Sequence, residues 1–233
     1  MEERYSRNMK MLSERENILI RKSCVAVVGC GGLGGGIIEM LGRLGVGHII
    51  AVDGDNFEPS NLNRQLLSHT ENLGTSKAKA AVERMKLVNP DIKVTGIKEL
   101  IHLENGRELL AEANVIVDAV DRINTRMMLQ ELAEELKVPL VHGAIGGWYG
   151  QVMTVLPGDK TLNLIYGGEI TQGIEKELGN PSFTPALVGS IQVSEVVKLL
   201  INRGGLLRHR MLYIDLYEQD YTVLELPQNN NEE

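Results

Sequence analysis

Apolar positions along the chain come in short runs separated by stretches of helical period. Residues 23–29 (SCVAVVG), 48–53 (HIIAVD), 92–100 (IKVTGIKEL), 115–120 (VIVDAV) and 139–145 (PLVHGAI) are rich in β-branched residues. They are too short for helices and read as strands buried on both faces. Between them, 33–45, 76–89, 104–113 and 125–137 space their apolar side chains as helices do; Gly45 and Gly47 close the first and Pro90 follows the second. Strand alternating with helix predicts an α/β fold: a Rossmann-like, mostly parallel central sheet with helices on both faces and right-handed crossovers. Past residue 148 the pattern changes. YGQVMTVLP (149–157) reads as a further strand, 186–204 as a long helix with a Gly stop, and MLYIDLY and YTVLELP as closing antiparallel strands. The stretch 158–185 mixes Gly, Asn, Pro and charge without a period, which predicts a functional or mobile loop. The polar tail 228–233 is expected to be disordered.

A chain of 233 residues, 43% hydrophobic, is long enough for one sizeable core and reads as a single domain over 1–227. No apolar run reaches the ~20 residues of a membrane span. The charged start MEERYSRNMKMLSEREN is unlike a secretory signal. Both readings predict a cytoplasmic protein with no membrane contact. A net charge of −7 argues against a surface that coats nucleic acid. The two cysteines, Cys24 and Cys30, form no Cys-x-x-Cys pair, so no zinc clip or disulfide framework is expected and both read as packed thiols.

The chemistry begins at VVGCGGLGGG, residues 27–36. Gly29-x-Gly31-x-x-Gly34 leaves a strand and opens a helix, with Asp53 at the end of the next strand: the dinucleotide fingerprint in its proper context. Glycines admit a phosphate against the backbone, and the helix N-terminus offers it unpaired N–H groups. Asp53 is suited to accept from ribose hydroxyls. The motif alone leaves NAD and ATP open.

The next segment, VDGDNFEPSNLNRQLL (52–67), decides between them. A dehydrogenase has no evident need for Asn61, Asn63, Arg64 and Gln65 so close behind its ribose acid, whereas a triphosphate does. Arg64 supplies a planar fork of donors, Asn61 helps orient the phosphates, and Lys77 is a point charge at the start of a helix. Asp121, at the end of the fourth strand in DAVD, is placed to hold Mg²⁺ against phosphate, or else to cap the following helix; Asp118 reads as structural.

These residues resemble a known family. RYSRNM, GCGGLG, Asp53 with Asp55, SNLNRQ with Ser60, the G-x-x-K ending at Lys77, and DAVD follow the order found in the ubiquitin-activating-enzyme superfamily. The likeness is greatest to its ThiF/MoeB/HesA branch. It spans residues 4–204 and takes in IGGWYGQVMTVLPG and TPALVGSIQVSEVVKLL.

The resemblance implies an ATP-dependent adenylyltransferase. The Gly-Gly carboxyl terminus of a ubiquitin-like sulfur carrier attacks the α-phosphate of ATP, and pyrophosphate leaves. By the same carry-over, Gly29, Gly31, Gly32 and Gly34 form the phosphate turn, and Asp53 and Asp55 take the ribose side. Ser60, Asn61, Asn63, Arg64, Gln65 and Lys77 surround the polyphosphate, and Asp121 binds Mg²⁺. Arg7 resembles an arginine inserted from the second subunit of a homodimer. The resemblance also divides the chain into an N-terminal arm (1–22), a nucleotide half (23–147) and a carrier-docking half (148–227). Trp148 and Tyr149 lie in that last half, as docking surface or as core.

The chain departs from relatives in three ways. It lacks the two zinc-binding Cys-x-x-Cys pairs, so no zinc is expected. Its loop 167–185 has no cysteine for a covalent intermediate, which implies a released acyl-adenylate attacked by sulfide or a separate sulfur donor. Arg122 stands where an Asn often follows the Mg²⁺-binding Asp. The other readings weighed are a tRNA threonylcarbamoyl-adenosine dehydratase-like enzyme, which the acidic pI disfavours, an NAD-dependent oxidoreductase sharing only the turn, and an inert nucleotide-binding scaffold.

Overall fold

The structure is a computed structural model that describes residues 3–167 and 175–227. The strands β1 (Cys24–Val28), β2 (His48–Val52), β3 (Lys93–Ile97), β4 (Val115–Asp118) and β5 (Leu140–Gly146) pair in parallel. The strands β6 (Tyr149–Val155), β7 (Arg210–Asp215) and β8 (Asp220–Glu225) extend the sheet antiparallel. The order across the sheet is β3-β2-β1-β4-β5-β6-β7-β8.

The helices are α1 (Glu14–Lys22), α2 (Gly32–Leu44), α3 (Lys77–Val88), α4 (Leu103–Leu109), α5 (Ile123–Leu136), α6 (Thr161–Tyr166), α7 (Glu175–Leu178) and α8 (Phe183–Ile201). Period-two alternation sends alternate side chains of β1 to opposite faces, both buried. Val25 and Val27 join Ile37 of α2, Met85 of α3 and Val196 of α8 in one core cluster. Cys24, Ala26 and Val28 join Leu129 and Leu132 of α5 and Leu162 of α6 in the other. The expected two-faced, mostly parallel sheet with an antiparallel extension is therefore the observed one.

The N-terminal arm is pinned to the body. Tyr5, within a short 3₁₀ segment (Glu3–Asn8), is buried against Gly45, whose φ of +94 ends α2 in the left-handed region. Asn89 donates to the Tyr5 hydroxyl at 2.8 Å and to the Gly42 carbonyl at 2.7 Å. At the start of α1, Ser13 and Glu16 form a reciprocal capping box.

Two boundaries differ from expectation. The helix expected over 186–204 begins earlier, at Phe183, because Pro185 falls in its first turn, where a missing N–H costs nothing. The aperiodic stretch 158–185 contains α6 and α7, helices too short to leave a period in the sequence. Residues 168–174 of that stretch and the tail 228–233 lie outside the described residues. α8 is long and apolar enough to cross a membrane by length and composition. Here its Thr184, Gln192 and Glu195 are buried within the protein.

Candidate functional site

A cavity of about 300 Å³ opens at the carboxyl ends of β1, β2 and β4. Strand β1 lies between β2 and β4, so the chain leaves it in opposite directions and a crevice forms at that switch point. Gly29, Gly31 and Gly32 line the cavity. Gly29 has φ +95, and a Cβ there would lie 2.5 Å from the Ala119 carbonyl oxygen. Gly34 does not line the cavity; a Cβ on it would lie 1.7 Å from the Gly29 carbonyl oxygen. Its task is to let α2 start flush against the turn. The N-cap of α2 is Gly31, with no side-chain hydrogen bond, so its first N–H groups have no side-chain acceptor. Such an end suits an anion.

Asp53 braces this turn. Its Oδ2 accepts from the Cys30 amide at 2.7 Å and its Oδ1 from the Asp55 amide at 2.8 Å. Burial pushes its pKa up, against the opposing pull of those two amides and of Lys77. Each oxygen retains a second lone pair, so a ribose hydroxyl can still be accepted. Lys77 begins α3 behind the Ser76 cap, with its Nζ 3.3 Å from Asp55 Oδ2 and its side chain only 10% exposed. Holding an ammonium that deep suits it to a polyanion more than to solvent.

Arg64 also lines the cavity. Its side-chain carbons pass 3.5–3.7 Å from where a Gly32 Cβ would stand. Its Nη1 donates to the Ser60 carbonyl at 3.0 Å and to Asn63 Oδ1 at 2.9 Å. Gln65 lines the cavity too, and its Oε1 is buried with no partner among the described residues. Asp121 and Arg122 lie on the rim. Arg122, not Asp121, is the N-cap of α5, which leaves the Asp121 carboxylate out of helix capping.

Besides Gly34, four expected residues do not line the cavity. Asn61 is buried and does not line the cavity; its Oδ1 accepts from the Glu58 amide at 3.0 Å, which shapes the loop. Ser60 and Asn63 lie behind Arg64 and tether it. Arg7 is exposed on the arm and does not line this chain's cavity.

The structure adds residues that sequence reading passed over. Arg126 of α5 is 5% exposed and lines the cavity. It donates to the Val120 carbonyl at 2.9 Å and to the Tyr166 hydroxyl at 2.9 Å. An Arg on an amphipathic helix reads as solvated, and nothing in the sequence says otherwise. Behind it, His142 Nδ1 meets Asp118 Oδ2, while its Nε2 lies 3.2 Å from the Tyr166 hydroxyl and 3.3 Å from Gln151 Nε2. Burial holds the His142 pKa down against the upward pull of Asp118.

Neither thiol is primed for attack. Burial pushes Cys24 up to about 11 and Cys30, which is fully buried, well above the usual thiol range. Beyond the β5–β6 turn, Trp148 is 45% exposed and packs at a tilt against Phe183, with ring centroids 4.6 Å apart, and meets Tyr217 edge-on at 5.8 Å. Trp148 is thus surface, not core.

The profile of the ThiF family matches residues 5–233. The chain is 34% identical to the "SAMP-activating enzyme E1" of Haloferax volcanii, over 98% of its own length and 86% of that protein. It is 33% identical to the "Sulfur carrier protein adenylyltransferase" of Thermus thermophilus, over 90% of its length and 81% of that protein. Among solved structures, E. coli MccB with ATP superposes with a TM-score of 0.78 at 19% identity, covering 99% of this chain and 74% of that one. The AMP complex of E. coli tRNA N6-threonylcarbamoyladenosine dehydratase gives 0.72 at 23% identity, covering 85% and 94%. At such identities the two structures speak for the fold alone.

Proposed function

The chain belongs to the ThiF family, and we propose that it adenylylates the terminal glycine carboxylate of a ubiquitin-like sulfur carrier protein, using ATP and releasing pyrophosphate. One observation carries the reading: Arg64, Lys77 and Asp121 line the same cavity as the glycine turn. A carboxylate resists nucleophiles, whereas its mixed anhydride with AMP does not. The protein's part is to hold two anions together in line and to balance the charge that gathers on the departing pyrophosphate.

The residues divide that work. The α2 N-terminus with Gly31 and Gly32 lies against the phosphates, Asp53 takes the ribose, and Arg64 and Lys77 offset the developing charge. The orphan Gln65 Oε1 is an acceptor, matched by donors on a nucleoside and by none on its phosphates. Asp121 fits Mg²⁺, an ion held by one or two carboxylates together with substrate phosphates. When bound, the ion neutralises phosphate charge. Among the described residues no group of three His, Cys, Asp or Glu side chains is arranged to hold a metal by itself.

Arg7 lies on an arm fixed by Tyr5 but away from its own chain's cavity. We assign it to the cavity of a second copy, which makes the enzyme a homodimer with composite sites. The loop 167–185 has no cysteine, so the acyl-adenylate leaves for attack by sulfide or a separate sulfur donor. A dehydratase acting on tRNA is the weaker reading. The likeness to that enzyme is one of fold, whereas relatives at 29–34% identity over nine-tenths or more of this chain carry adenylyltransferase or activating-enzyme names.

ATP–pyrophosphate exchange tests the proposal. Labelled pyrophosphate is expected to enter ATP only when a carrier with a Gly-Gly end is present. Exchange that needs tRNA instead overturns it.

A further inference from the structure

Asn180 stands at the opposite end of the cavity from Asp53. Asp53 follows β2, whereas Asn180 lies over the turn after β5, three strands away across the order β2-β1-β4-β5. At ordinary strand spacing that is about 14 Å. The segment carrying Asn180 is tied down on both sides. Asn63 donates to the Asn180 carbonyl at 2.9 Å, the Gly147 amide donates to the Gly179 carbonyl at 2.7 Å, and the Thr184 hydroxyl donates to the Gly147 carbonyl at 2.6 Å. Phe183, three residues on, packs against Trp148. Asn180 therefore lies between the exposed aromatic cluster and Arg64, whose guanidinium shares the Asn63 side chain.

One atom there is unexplained. Asn180 Oδ1 is buried and has no hydrogen-bond partner among the described residues. A buried unmatched acceptor is costly and marks a place where a donor is meant to arrive. The nucleotide's donors, on ribose and adenine, belong to the Asp53 end. At the Asn180 end the reactant is a peptide tail, and the one donor next to its terminal carboxylate is the N–H of the last residue. Gly179, with φ +72 and open space around its α-carbon, leaves the preceding peptide room to turn.

We propose that Asn180 Oδ1 accepts a hydrogen bond from the terminal peptide N–H of the incoming tail and so aims its carboxylate past Arg64 at the nucleotide. This rests on the adenylation reading and assigns the residue that positions its second substrate.

The test uses the whole protein, ATP, and a ThiS- or MoaD-type carrier made with either a terminal glycine or a terminal N-methylglycine, which lacks that N–H. With the unmodified enzyme, N-methylation is expected to raise the carrier KM about tenfold or more while the KM for ATP stays put. Asn180→Ala is expected to raise the KM for the glycine carrier similarly, to bind ATP as before, and to be indifferent to N-methylation. An unchanged carrier KM in Asn180→Ala, or an N-methyl penalty that persists in it, overturns the assignment while leaving adenylation standing. No carrier-dependent exchange by the unmodified enzyme overturns the adenylation reading, and the assignment with it.

Discussion

His142 Nδ1 lies 2.6 Å from Asp118 Oδ2, and both side chains are wholly buried. The pairing assigns a proton to Nδ1 and leaves Nε2 to accept from the Tyr166 hydroxyl and Gln151, a self-consistent neutral ring. Since Tyr166 in turn accepts from Arg126, the chain of bonds runs from the core to the cavity wall.

Burial of His142 predicts a pH dependence of stability. Burial lowers the folded His142 pKa below its ordinary 6.5, so the unfolded chain takes up the proton first. The contribution of His142 to stability is held above pH 6.5 and is lost as pH drops toward the folded value, by at most about 1.4 kcal/mol per pH unit for one proton. His142→Gln is expected to lower stability at neutral pH and to flatten this slope. Urea unfolding of both proteins between pH 5 and 8 measures it; equal slopes would assign the dependence to other groups.

The glycine turn yields opposite outcomes two residues apart. Gly34→Ala drives a methyl group into the Gly29 carbonyl and is expected to destroy nucleotide binding or the fold. Gly36→Ala meets nothing within 4 Å and sits inside α2, so it is expected to stabilise by about 0.5–1 kcal/mol. Thermal unfolding with and without ATP separates the two.

Arg64→Ala is expected to slow carrier-dependent pyrophosphate exchange by roughly 10²-fold, the usual loss when one fixed donor leaves a transition state. Arg64→Lys should recover only part of it, because a point charge does not reproduce the fork. A rate within twofold of the unmodified enzyme would remove Arg64 from the reacting phosphate.

The proposed sharing of Arg7 between two copies makes a mixing prediction. Arg7→Ala and Asp121→Ala, each with little activity alone, are expected to regain exchange when unfolded and refolded together, since a mixed dimer holds one cavity with both residues intact. No recovery from a mixture shown to contain mixed dimers would place Arg7 outside the reaction.

Much of this architecture could be read from the chain because its signals are local. Buried strands such as 24–28 are continuous apolar runs, and the helix 76–89 carries its period with Pro90 just beyond. The glycine turn and the cations after Asp53 announce themselves by type and order. Illegible parts depend on distant partners. Asn61 and Asn63 look alike beside Arg64, yet one is turned inward to cap a loop and the other reaches Asn180. Asp118, His142 and Tyr166 come from β4, β5 and α6, and only pairing in the sheet brings them together. Arg126 carries no sign of its burial, because what covers it is the Val120 carbonyl and a tyrosine forty positions away.

α8 lends Val188 and Val196 to the cluster that α2 and β1 form far earlier in the chain. During synthesis β1 to β5 leave the ribosome well before that cover exists, with an apolar flank still bare. That cluster can close only once residues 183–201 have been made, a long-range contact of the kind that slows folding.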